Sequence, residues 1–61
     1  MTQKTIIDVI RGELDIDPSL SQTEVIAAAV QDLGIDVSKA GTLKQKIKII
    51  AGEMEIDTSG F

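Results

Sequence analysis

At 61 residues the chain has room for one small domain, and a domain of about 60 residues buries only roughly 60% of the surface its unfolded chain exposes. Apolar residues, nearly all Ile, Val, Leu and Ala, make up 43% of it, which supplies a small core, and the chain does not read as disordered. The absence of Cys and His removes disulfides and the usual metal ligands, and a net charge of −4 argues against whole-surface attraction to nucleic acid or anionic lipid.

The start, Met-Thr-Gln-Lys, lacks the charged-then-apolar layout of a signal peptide. The longest uncharged apolar run, Val25 to Val30, falls far short of the roughly 20 residues a membrane span requires. The expectation is a cytoplasmic protein of one domain, 1–61, with no membrane contact.

Thr2 is a good helix cap, and it stands twelve residues before Leu14. Between them Ile7, Ile10 and Leu14 recur at the spacing of one helical face, while Lys4, Asp8, Arg11 and Asp15 take the opposite one. This predicts a first helix over about 3–14. Ile6 and Val9 lie off its main apolar face.

The phrase LDIDPS that follows is the first of three copies of [Leu/Met]-x-Ile-Asp-x-Ser; LGIDVS and MEIDTS are the others. Its Leu reads as the last core residue of a helix and its Ile as an anchor just beyond the end. Asp-x-Ser reads as a turn, because an Asp side chain hydrogen-bonds backbone two residues on. Pro18 presets that turn.

Ser21-Gln-Thr-Glu24 has the form of a capping box, and Leu20 and Val25 are placed as a hydrophobic staple around it. A second helix over about 22–33 follows. Its stretch Val25-Ile-Ala-Ala-Ala-Val30 is apolar around the whole circumference, which places it between its two neighbours.

Thr42-Leu-Lys-Gln45 repeats the box with Gln, and Ile47, Ile50 and Met54 repeat the apolar face, so a third helix is predicted over about 43–54. Ile49 lies off that face. Gly12 and Gly52 match between the first and third units, and two readings are open: close backbone approach, or the beginning of a helix end. One helix and one turn per unit is less than a solenoid repeat carries, so the fold class is all-α, a compact three-helix domain.

Catalysis finds little support. A Ser or Thr nucleophile needs an adjacent base and His is absent, while Asp15 and Asp17 lie on a short turn with no cleft implied. Asp15-x-Asp17-x-Ser19 imitates the first ligands of a calcium loop, but Leu20 and Ile26 stand where that loop needs Gly and Glu. The reading is therefore a non-enzyme with no metal and no cofactor.

Two surfaces remain. Lys39, Lys44, Lys46 and Lys48, four of the six basic residues, fall in one ten-residue stretch without an acid. Across Ser21 to Ile50 a capped apolar helix, Leu33-Gly34-Ile35, a Ser-Lys loop and Leu43-Lys44 opening a second helix together resemble the helix-extended loop-helix modules of the SAP and LEM type. The resemblance covers about half the chain. It implies binding without catalysis, to DNA for SAP members and to proteins or DNA for LEM-type members. Lys39 stands where a Gly often follows the Ser, and no Tyr or Trp is present to stack on bases. The second surface is the set Ile6, Val9 and Ile49, which forms a patch for a protein partner or for self-association if exposed, and closes the flanks of the bundle if not. The first expectation is a small non-catalytic interaction or assembly module, in the style of phage or bacterial accessory proteins. DNA binding through the four lysines is the alternative.

Overall fold

Each helix begins where a hydroxyl oxygen meets a backbone N–H that has no partner inside the helix. The structure, a computed structural model, describes residues 2–61 and contains α1 (Gln3–Leu14), α2 (Gln22–Leu33) and α3 (Leu43–Glu53), with no strand among the described residues. This is the all-α, three-helix domain the sequence predicts, α3 stopping one residue early. Thr2 Oγ1 accepts from the Thr5 N–H at 3.2 Å, Ser21 Oγ from the Glu24 N–H at 3.3 Å and Thr42 Oγ1 from the Gln45 N–H at 3.2 Å.

At α2 the box closes, because Glu24 Oε1 accepts the Ser21 N–H at 3.0 Å. At α3 it does not. There Gln45 Oε1 accepts the Gly41 N–H at 2.7 Å, one residue farther back. The backbone accounts for the difference, since φ is −69° at Ser21 and −135° at Thr42, which aims the cap's own N–H elsewhere.

Counted from the three caps, the core repeats. The fifth residues are Ile7, Ile26 and Ile47, the eighth are Ile10, Ala29 and Ile50, and all six are buried. Ile6, Val25 and Ala51 complete the buried set, and the three isoleucines of the exit phrases pack against it. Every helix packs on both of the others, giving a core with near-threefold character.

That arrangement corrects the placement of α2 between its neighbours. Ala27 is exposed and Ala28 half-buried, so α2 has an outer face like the other two. Alanine explains the discrepancy: it carries so little apolar surface that exposing it costs little, and a run of alanines is weak evidence for burial on all sides. Close approach at the matched glycines is also absent, for a Cβ added at Gly12 or Gly52 meets nothing within 4 Å. Both residues remain helical, with α1 continuing to Leu14 and α3 to Glu53.

The three exits share one geometry. The residue before each Ile is left-handed, with φ 57° at Asp15, 66° at Gly34 and 59° at Glu55. The next N–H, of Ile16, Ile35 or Ile56, then reaches back five residues to the carbonyl of Arg11, Val30 or Ala51 at 3.0, 3.2 and 2.8 Å. This is the Schellman closure, which satisfies a terminal carbonyl and turns the Ile inward. Just beyond, the Oδ1 of Asp17, Asp36 and Asp57 accepts the N–H of Ser19, Ser38 and Ser59 at 2.9, 2.8 and 2.9 Å. The first exit adds a turn across Pro18, the Leu20 N–H donating to the Asp17 carbonyl at 3.2 Å.

The connection also brings two helix starts together. Gln3 Nε2 donates to Gln22 Oε1 at 2.7 Å, and each Gln is the first residue of its helix. The segment after Leu14 therefore folds back beside α1, where Arg11 also reaches the Leu20 carbonyl.

Candidate functional site

The second connection is longer than the first. Ser19 lies two residues before its cap, Ser21, whereas Ser38 lies four before Thr42, and the additional length carries Lys39 and Ala40. Ala40 is fixed by its N–H, which donates to the Val37 carbonyl at 3.0 Å. In the shorter connection Leu20 instead packs against the core.

Beside this loop α3 presents Gln45, Lys48 and Ile49, three residues at the spacing of one helical face. Together with Lys39 and Ala40 they line a shallow groove of about 380 Å³, open to solvent along most of its rim. Gln45 is held in place by the Gly41 N–H on its side-chain oxygen. Ile49 is 40% exposed, the sole large hydrophobic side chain in that state among the described residues. A groove this open would leave a small molecule largely exposed to solvent.

The lysines do not act as one stripe. Lys39 and Lys48 line the groove, and Lys44, one turn before Lys48, has its ammonium 5.3 Å from the centroid of the Phe61 ring. Lys46 is turned about 200° from Lys44 around the helix and is half-buried. The one ion pair among the described residues is Arg11 with Asp8 at 3.2 Å, so none of these four lysines is neutralised by a carboxylate.

Ile6, Val9 and Ile49 do not form a common patch. Ile6 is fully buried and Val9 half-buried, which leaves Ile49 alone at the surface. Ile6 goes inward because it is the fourth residue after its cap, as is Val25, and the near-threefold core draws that position in. At the matching place α3 has Lys46, which accounts for the partial burial of that lysine.

The exit carboxylates are occupied by their own turns. The Ser19 and Ser38 backbone N–H groups, with help from the hydroxyls, hold Asp17 and Asp36 below the ordinary 3.8, and the Ser59 hydroxyl and then its N–H do the same for Asp57. Glu24 is lowered from 4.5 by the Ser21 N–H and hydroxyl. No group of three or more Asp or Glu is placed to hold a metal ion among the described residues.

Sequence reasoning missed Arg11. Set on the outer face by its spacing, it is instead half-buried, with Nη2 donating to the Leu20 carbonyl at 2.6 Å and Nη1 to Asp8 at 3.2 Å. Its Nε is buried without a partner. The groove was missed as well, although the additional residues after Ser38 signalled a loop unlike the first.

No helix among the described residues is long and apolar enough to cross a membrane. In comparison with known proteins, the chain matches no family model, no curated protein and no solved structure.

Proposed function

We propose that the domain is a non-catalytic protein-interaction module whose contact surface is the groove between the Lys39–Ala40 loop and the outer face of α3. The observation that carries this reading is Ile49, the exposed aliphatic side chain, lining one groove with two lysines that no carboxylate neutralises among the described residues. Apolar and charged side chains side by side are common in protein contacts.

DNA binding through Lys39, Lys44, Lys46 and Lys48, in the manner implied by the SAP and LEM resemblance, has weaker support. Phosphate contacts require cations aligned along a backbone. Lys46 lies on the far side of α3, Lys44 sits over Phe61, and the chain as a whole carries −4.

A random peptide library displayed on a carrier and selected against the 61-residue chain tests the module reading. It predicts enriched peptides whose binding falls when Ile49 becomes Ser. A selection that yields no Ile49-dependent binder contradicts it.

A further inference from the structure

We infer that the groove takes an acidic protein segment that presents one aliphatic side chain to Ile49 and carboxylates to Lys39 and Lys48. The inference rests on the interaction-module reading and goes on to name the chemistry of the partner. Charge complementarity carries it: Lys39 and Lys48 are exposed, they border the same depression, and among the described residues neither has a carboxylate partner. The Ala40 and Ile49 side chains give the depression an apolar part that a purely ionic ligand leaves uncovered.

A second copy of the chain is a poor occupant. A two-fold contact that stacks Ile49 on Ile49 sets Lys39 and Lys48 near their own duplicates, and like charges brought together across an interface oppose it. A head-to-tail contact finds little to fill the groove, because Ile16, Ile35 and Ile56 in the acidic exit phrases pack against the core, and Val9 and Val37, beside Asp8 and Asp36, are half-buried. A nucleic acid offers phosphates to the lysines, but its apolar groups, such as the thymine methyl, lie inside its grooves and away from the phosphates that the lysines would hold. An acidic segment with a Leu, Ile or Val at its centre satisfies both parts of the groove.

The test uses three synthetic peptides of fifteen residues: one rich in Glu with a central Leu, the same with that Leu replaced by Ser, and the same with each Glu replaced by Lys. Each is titrated into the isotope-labelled 61-residue chain and followed by amide shifts, and a short DNA duplex at low salt is run in parallel. The Glu/Leu peptide is expected to move Lys39, Ala40, Gln45, Lys48 and Ile49. Its affinity should fall roughly tenfold on Leu→Ser, and by a similar factor in an Ile49→Ser chain, in keeping with the loss of one buried aliphatic contact. A Lys39→Glu, Lys48→Glu chain should lose it and bind the Lys peptide instead. Ile49 lies at the surface, so its Ser variant is expected to fold, which circular dichroism checks. Equal binding of the Glu and Lys peptides, or indifference to Leu→Ser, overturns the acidic-segment inference and leaves the module reading standing. A chain that ignores all three peptides and responds to the duplex overturns both.

Discussion

Arg11 Nη2 donates to the carbonyl oxygen of Leu20 at 2.6 Å, tying the last turn of α1 to the residue that precedes the cap of α2. The companion ion pair with Asp8 is half exposed at the carboxylate. The two contacts should differ in weight, because a charge-assisted hydrogen bond in a half-buried place contributes about 1.5–3 kcal/mol and an exposed ion pair only about 0.2–1. Arg11→Ala is therefore expected to destabilise by about 2 kcal/mol and Asp8→Ala by a few tenths, measured by urea unfolding. Equal losses would show that the ion pair and not the carbonyl contact matters.

The matched glycines predict an unusual gain. Gly12 and Gly52 sit in helices with open space where a Cβ would stand. Substituting Ala at each should raise stability by up to about 1 kcal/mol, the helix-propensity difference. Thermal unfolding of the two single variants and the double variant reads this, and a loss at either position would reveal a contact that the glycine protects.

The three left-handed exits make a graded series. Gly34 adopts φ 66° without a Cβ, whereas Asp15 at 57° and Glu55 at 59° hold the same conformation with one. Gly34→Ala should cost about 1–2 kcal/mol, and Glu55→Gly should gain up to about 1, with Asp15→Gly gaining less because Asp tolerates this region better. Denaturant midpoints of the three variants check the order. The account is contradicted if Gly34→Ala is neutral.

Acid should loosen the exits. Asp17, Asp36, Asp57 and Glu24 are all held below their ordinary values by Ser hydrogen bonds, so the folded state binds protons less readily than the unfolded one. The stability they contribute is fully present above the unfolded values of 3.8 and 4.5, and it is lost as pH falls through the lowered folded values. Stability should be flat between about pH 6 and 7 in these groups and decline below about pH 4. Replacing Asp17, Asp36 and Asp57 by Asn keeps an oxygen to accept the Ser N–H and removes the charge. That variant should show a shallower decline in acid, and an unchanged slope would locate the acid sensitivity elsewhere.

Much of this fold was legible in the sequence because its signals agree at several levels. Thr2, Ser21 and Thr42 mark three starts, the Leu or Met and the Ile of each exit phrase mark three ends, and Asp-x-Ser forms the turn the side-chain chemistry predicts. What spacing could not supply was the third dimension. The inward turn of Ile6 follows from the mutual packing of all three helices, and the exposure of Ala27 from how little is lost by leaving it in water. Arg11 escaped notice because a long side chain on a helix flank can fold over toward a neighbouring carbonyl, which no periodicity records. The lysine stretch looked continuous in one dimension, and the helix divides it between the groove, Phe61 and the far side.

The contest between a protein and a DNA partner comes down to one side chain, the Ile49 δ1 methyl, which no phosphate has reason to touch. Its carbon-13 resonance is to be followed while a short duplex and then the Glu/Leu peptide are added to one sample at low salt. The methyl signal is expected to stay in place with the duplex and to move with the peptide, saturating as the groove fills. Movement on addition of the duplex, reversed by salt, with no response to the peptide, would contradict the account at its centre.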